Sequence, residues 1–515
     1  MKKSFVLLLA LVLLVSGTAY FAQTELLKEK DQVHYTEHVL YGDKSVVDGV
    51  TVEANVMYNN QLFWKTVYEI GEEPKEETEY TFSAWPHFDD KLIQDGSLWF
   101  NIDCTDTFDV LEFDKSKTYY GLEIAMKELY DSTPAGTEKQ MTVFLKDYVD
   151  YYSFMFDVTL PFHSGSGDVQ YESGMIWGER DLREDIAMLE QSGMNPKELE
   201  RLKKYLADLE AFRGFFKIPV IEGEAYTLAI VKDENGEVIG MADSHAMGGQ
   251  GTGEINIPDP PKVEGLDVFS FETSSVFADG YCYFTFNPHT ENGKLVDVSQ
   301  IPGGYGIYRF SYDNKKGTID LSNLEMVYPL DVNHTYSSIV KDYGGKNILL
   351  FSDDGKNRYM SVIDRETLKL MDYFVLGPIE EYFSERICED FIIVMGDYLM
   401  VYPLGENGRY TQAFSVDSRK IDEVILKYYP DLDPISWESV FDWDGQTLLI
   451  VDPVIYHDEN LRNTYTCDYY VAAVDETGLL YYGMYESSLT SYAEQYDYCM
   501  FNRDMLDPIR INWNK

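Results

Sequence analysis

Cysteine is scarce in this chain. Five cysteines (Cys104, Cys282, Cys388, Cys467, Cys499) are scattered over 515 residues with no C-x-x-C spacing. That excludes a zinc ribbon and a dense disulfide framework. Cys282 in Tyr-Cys-Tyr-Phe and Cys388 after Ile387 read as buried strand thiols, and one bridge, such as Cys467 with Cys499, stays open. Positive charge is also short, with 42 Lys and Arg against 89 Asp and Glu, a net charge of −47. Phosphate backbones and anionic lipid surfaces repel such a chain, which argues against nucleic acid as a partner. The acidic residues alternate with apolar ones, so they read as a solvated globular surface and not as a disordered tail. Beyond residue 22 no apolar run reaches the ~18 residues that a membrane helix needs.

What the chain has in quantity is aromatic and apolar mass. Hydrophobic residues make up 45% and aromatic ones 15%, including 41 tyrosines, enough for a large core rich in strands and half-wet surfaces. The first 22 residues have an export layout: Lys2 and Lys3, an apolar run from Phe5 to Val15, then Ser16, Gly17, Thr18 and Ala19. Gly17 and Ala19 offer a cut after Ala19. Kept instead, Phe5 to Phe21 is an anchor of 17 residues with the lysines inside. No cysteine adjoins this run, so a lipid-modified N-terminal cysteine is excluded. Either way the remainder is expected outside the cytoplasm, secreted or anchored, with the membrane touched only through residues 5–21. Sparse cysteine suits a Gram-positive surface.

The expected fold is mainly β. Val50, Val52, Ala54, Val56 and Tyr58 alternate, Asn59-Asn60 can turn, and Leu62 to Ile70 returns, which predicts a hairpin over 46–70. Further strands are expected at Ser97–Ile102, Gln140–Leu145 and Tyr152–Leu160. A helical hairpin breaks the pattern at about 180–213, as Asp181–Ser192 and Pro196–Phe212. Gly193 closes its first helix, Asn195 caps the second, and Leu199, Leu202, Leu206 and Leu209 make its apolar stripe. Residues 248–262, rich in Gly and then Pro, read as a linker between a β-rich region (23–247) and a repeat region (263–515).

Within 263–515 a polar turn precedes an apolar strand four times: Asp279-Gly280 before Tyr281–Phe286, Gly344-Gly345 before Ile348–Phe351, Glu389-Asp390 before Phe391–Met395, and Asp444-Gly445 before Leu448–Val451. A second strand follows each, at Ile307–Tyr312, Tyr359–Ile363, Tyr398–Leu404 and Tyr470–Val474. Units of this size, with about four short strands, are blades of a β-propeller. Strands from 40–245 are open as further blades. With its export segment (Lys2 to Ala19) and these turn–strand units, the chain resembles the loosely defined class of uncharacterised extracytoplasmic β-propeller-like proteins of Gram-positive bacteria. The resemblance carries no catalytic residue over.

Four patterns were weighed for chemistry. His34-Tyr-Thr-Glu37-His38 has the H-x-x-E-H spacing of inverted zinc peptidases, which needs both imidazoles on one helix face. Val33, Tyr35, Val39 and Tyr41 make it an exposed extended segment instead. Gly249-Gln-Gly-Thr-Gly253 lacks the helix start that a phosphate loop needs, because Pro258-Asp-Pro-Pro follows. His163 beside Ser164 and Ser166 lacks the glycine spacing of a nucleophile elbow. The acidic turns at Asp233–Gly236, Asp353–Gly355, Asp431–Asp433 and Asp442–Gly445 invite calcium, but from Asp233 the twelfth position is Ser244 and not glutamate. No catalytic, cofactor-binding or metal residue is assigned, and no cofactor is expected. The expected function is a non-enzymatic binding or scaffolding protein at the bacterial cell surface, with a glycan or peptide ligand on a loop end where tyrosines and acids gather. The alternatives are a hydrolase on a propeller scaffold acting on glycans or peptides, and a membrane-tethered sensor.

Overall fold

The computed structural model describes residues 11–21, 34–58, 62–72, 75–80, 93–94, 96–102, 119, 121–163, 179–245, 248–252, 268–379, 383–428, 439–457, 463–487 and 509–513. The chain is mainly β and propeller-like, with small antiparallel sheets of four or five strands recurring along it. Its contacts divide it into two compact units, residues 91–379 and residues 1–90 with 380–515. The described start of the Gly-Pro stretch, residues 248–252, lies within the first of these. It is a strand: Gly248–Thr252 pairs with Val238–His245, Met241 facing Thr252 and His245 facing Gly248. A backbone ladder needs no side chains, so glycine composition alone misread it; 253–262 lie outside the described residues. Residues 11–21 are helical with Leu11–Val15 exposed, and no helix among the described residues is long and apolar enough to cross a membrane. Lys2 and Lys3 lie outside the described residues.

In the 91–379 unit, three sheets have four strands each. The first runs in the order Gly248–Thr252, Val238–His245, Ala225–Lys232, Glu138–Phe144. The others take their strands in sequence: Thr273–Ala278, Tyr281–Phe286, Gly306–Asp313 and Thr318–Pro329, then Thr335–Lys341, Asn347–Asp353, Asn357–Asp364 and Lys369–Pro378. Asp279-Gly280 makes the first turn as read, with φ of +46° and +79°, the left-handed pair of a two-residue hairpin. Ser97–Ile102 pairs with Phe154–Thr159.

The helical hairpin is Glu179–Ser192 and Pro196–Phe215. Asn195 caps the second helix by accepting the Glu198 N–H at 3.3 Å. Leu202, Tyr205, Leu209 and Phe212 are buried against strands 154–159 and 318–329, with Phe156 packed on Tyr205 and Phe212. A single apolar core joins these helices to the sheets.

The other unit holds three sheets. Ser384–Ile387, Phe391–Met395, Tyr398–Pro403 and Phe414–Asp417 form one. Val440–Trp443, Leu448–His457, Asn463–Asp475 and Gly478–Ser487 form the next, and Tyr35–Gly42 adds a fifth strand along 478–487. Val50–Tyr58, Leu62–Glu69 and Lys75–Tyr80 form the third, completed by Ile509–Trp513 along Val50–Ala54. The central sheet is buried on both faces. Leu448, Ile450, Tyr470, Ala472 and Val474 line one core, and Leu449, Val451, Tyr469, Val471 and Ala473 line the other. Side-chain alternation turns the continuous apolar runs at 448–451 and 469–474 into two opposed cores. Helix Ser418–Tyr428 packs Ile421 and Ile425 into the first.

Candidate functional site

The motifs weighed for chemistry resolve into structural roles. His38 and Glu37 stand on strand Tyr35–Gly42, where neighbouring side chains point to opposite faces. His38 Nε2 meets Glu486 at 3.3 Å on the exposed side. Glu37 accepts from the Tyr68 hydroxyl and pairs with the Lys44 ammonium. His163 lies on the short strand Phe162–His163 against Ile93–Gln94, while Ser164 and Ser166 lie outside the described residues. Cys282 is fully buried and its thiol is pushed up by burial; Cys388 is pushed up to about 12 by burial, with Asp442 adding to it. Cys499, of the open bridge, lies outside the described residues.

The acidic turns spend their carboxylates on backbone N–H groups. Asp233 Oδ1 accepts from Asn235 and Glu237 at 2.9 and 2.8 Å. Asp444 Oδ1 accepts from Gln446 and Thr447 at 2.9 and 2.7 Å. Asp442 accepts from the backbone of Trp443 and Trp513, at 2.8 and 3.0 Å. At Asp233 and Asp444 this is ordinary Asx-turn chemistry, while Asp442 ties the C-terminal strand to its neighbour. Asp431 and Asp433 lie outside the described residues. Among the described residues no group of three His, Cys, Asp or Glu side chains is placed to hold a metal ion.

The arrangement with the most chemical character is a stack of rings at one end of the 335–378 sheet. Register places Tyr336 opposite Ser352, Ser352 opposite Tyr359, and Tyr359 opposite Val375, one row across all four strands. Same-row residues share a face, and Tyr373 joins that face two positions from Val375. Serine at 352 is the small member of the row. The His334 ring fills the space above it, with Nδ1 3.4 Å from Ser352 Oγ.

The rings then run in series. Phe286 meets Tyr305 at 5.4 Å between centroids, Tyr305 meets Tyr336 at 6.0 Å, Tyr336 meets His334 at 6.2 Å, His334 meets Tyr359 at 5.3 Å, and Tyr359 meets Tyr373 at 5.3 Å. The last pair is near-parallel, with an interplanar angle of 18°. Exposure rises along the series, from 5% at Tyr305 and 9% at Tyr336 to 49% at Tyr373. The stack thus leads from the core to an open ring face.

Its hydroxyls are anchored on the inner side. Tyr305 donates to the Phe286 carbonyl at 2.6 Å, and Tyr336 accepts from the Asp331 N–H at 3.0 Å. Burial pushes both phenols up. On the outer side Tyr359 donates to Asp354 Oδ2 at 2.7 Å, which raises the phenol. Asp354 Oδ1 accepts from the Lys356 and Asn357 N–H groups at 2.9 and 2.8 Å. The Asn357 N–H and the Tyr359 hydroxyl hold this carboxyl down to about 2. Asp331 is lowered likewise, by the Asn333 N–H and side chain. His289, nearby through Asp353, is lowered by burial, with Asp353 opposing.

No family model matches the sequence, and no curated protein is similar to it. Among solved structures the chain is similar to the β-propeller domain of Cps50 (Swd1) from Myceliophteria thermophila, at 8% identity and a TM-score of 0.24, over 50% of this chain and 69% of that one. It is also similar to the Dos1 propeller, at 9% identity and a TM-score of 0.21, over 52% and 64% of the two chains. An oligogalacturonate lyase solved in complex with manganese matches at 10% identity and a TM-score of 0.20, over 51% and 62%.

The tyrosines of the stack were visible in the sequence only as part of a high tyrosine count. His334-x-Tyr336 and Tyr373-x-Val375 each show a period of two, a local sign of a shared face. Their meeting depends on the pairing register of four strands, and a single sequence does not carry that.

Proposed function

We propose that this chain is an extracytoplasmic binding or scaffolding protein of a bacterial cell surface, with the Tyr359–Tyr373 end of the stack as its ligand face. One observation carries the reading: a continuous ring series that rises from a rigid core to a half-exposed tyrosine on the outer strand Lys369–Pro378. Exposed aromatic faces on rigid strands favour ligand stacking, because little side-chain freedom is lost on binding. The export layout of Lys2 to Ala19, the scarcity of cysteine and the net charge of −47 support a place outside the cytoplasm.

Two measurements test it. N-terminal sequencing of the protein recovered from intact cells, with protease added from outside, reads location and processing. Digestion of the intact chain is expected, with a start at Tyr20 if cut and at Met1 if kept as an anchor. Protection from the external protease would end the surface reading. Binding to immobilised glycans and peptides reads the ligand face. Tyr373→Ala is expected to lose roughly five- to 150-fold in affinity, by the ~1–3 kcal/mol that aromatic stacking supplies elsewhere. Unchanged binding would move the ligand face off this sheet.

A further inference from the structure

We infer that the ligand group seated on Tyr373 is a cationic amine, primary or quaternary, with the Asp354 carboxylate as its counter-charge. The inference rests on the reading above that this end of the sheet is the ligand face. One side of the Tyr373 ring is bedded on Tyr359, so the open side of a half-exposed ring is what a ligand meets. Tyr359 in turn donates its hydroxyl proton to Asp354, and this enriches the stacked pair in electron density. A tyrosine face backed in this way attracts cations through its quadrupole.

The carboxylate distinguishes a cation from a neutral sugar. Sugar recognition on an aromatic platform needs polar side chains with spare hydrogen-bonding capacity. Asp354 has largely spent its own: Oδ1 takes two backbone N–H groups and Oδ2 takes the Tyr359 hydroxyl. All three donors are neutral, so the carboxylate keeps its negative charge, with His334 as the basic side chain that acts on it. Neither Asp354 nor Asp331 forms a salt bridge to Lys or Arg among the described residues. Tyr359 touches both, with its hydroxyl 2.7 Å from Asp354 Oδ2 and its ring 5.3 Å from the Tyr373 ring, so the charge and the open ring belong to one locality. An anion would be repelled, and a neutral ring would gain the stacking term alone. An ammonium group gains both, and the excess of 89 acidic over 42 basic residues raises its local concentration.

The test uses the full chain and two probes on one sugar backbone: the trimer of glucosamine, with free amines held protonated at a mildly acidic pH, and its fully N-acetylated counterpart, in which neutral acetamides replace the charges. Binding is read by titration calorimetry at two salt concentrations, about 50 and about 500 mM. The expected result is preferential binding of the amine form by roughly two- to thirty-fold, the range of a cation–π contact, with the preference shrinking at high salt. Tyr373→Ala is expected to weaken binding of the amine form by roughly five- to 150-fold, as for the ligand face as a whole. Asp354→Asn, which keeps an acceptor for the turn N–H groups, is expected to reduce the preference for the amine form and to weaken its salt dependence. Tyr343→Ala, at an exposed tyrosine in the 341–347 turn of the same sheet, is the control expected to bind as the native chain does. Equal binding of both probes, weakened in Tyr373→Ala, would overturn the cation and leave the ligand face standing. Binding of neither probe by the native chain would overturn both. Far-UV circular dichroism of each variant separates loss of binding from loss of fold.

Discussion

Glu37 shows how little a motif means without its backbone. In the sequence it sits between His34 and His38 at peptidase spacing. In the structure it sits opposite Tyr485 on a strand, and ties three parts of one unit together through Tyr68, Lys44 and the strand itself. Burial by itself would raise its carboxyl, but the Lys44 and Tyr68 bonds together bring it below its ordinary value. Its contribution to stability is therefore present above the unfolded value and lost as pH falls through the lower folded one. Glu37→Gln is expected to cost about 1 kcal/mol at neutral pH, a figure held down by solvent screening of a partly exposed pair. The difference from the native chain should vanish in acid, as read by urea unfolding across pH. Tyr469 makes the opposite case. Its ring is fully buried and stacked on Tyr485 at 5.3 Å, but its buried hydroxyl has no hydrogen-bond partner among the described residues. Tyr469→Phe keeps the stack and removes that unmet group. It should be neutral or stabilise by up to about 1 kcal/mol; clear destabilisation would reveal a partner for the hydroxyl.

At the scale of elements, the turns and helix boundaries were the most legible features. Asp279-Gly280, Glu389-Asp390 and the Gly193–Pro196 break each mark a boundary because the residue types themselves dictate backbone angles or caps. The apolar stripe of the second helix was legible in its leucines, although its innermost members include Tyr205 and Phe212. Asp208 was hidden by this rule, since a charge on a helix reads as solvated. It is 4% exposed, with Lys204 on Oδ1, no hydrogen-bond partner for Oδ2 among the described residues, and Asp320 across on the sheet. Burial, more than any neighbour, raises its carboxyl, with Asp320 adding and Lys204 opposing. A raised folded value means the ionised form is disfavoured by folding, so this residue costs stability as pH rises above its unfolded value. Asp208→Asn should therefore stabilise at neutral pH and lose that advantage in acid. Thermal unfolding at both pH values checks it, and a gain of equal size at each would refute the assignment.

For the whole molecule, composition alone foretold a mainly β chain with a large aromatic core, and its repeated turns foretold blade-like sheets. What it hid was which strands share a sheet. Tyr35–Gly42 and Ile509–Trp513 are separated from their partners by more than 400 residues, and such long-range pairing leaves no local periodicity. The N-terminal strand enters the sheet of the C-terminal region, and the C-terminal strand enters the sheet of the N-terminal region. A chain ending at Pro508 loses the ladder along Val50–Ala54 and the buried Trp513. By analogy with large-to-small core losses the expected cost is about 3–5 kcal/mol. It should fall on the 1–90 and 380–515 unit, whose amides should exchange faster while those of 91–379 keep their protection.

That crossed seating of the two ends also sets a timetable. Residues 91–379 have every strand of their sheets in hand once residue 379 has emerged, and this unit is free to fold while the rest is still being made. The unit that brackets it must wait. Val50–Tyr58 stands with an unpaired edge until the final dozen residues arrive, and Tyr35–Gly42 waits for 478–487. The first strands made are thus the last to be secured. Throughout that interval they are the segments most in need of protection from pairing with a neighbour.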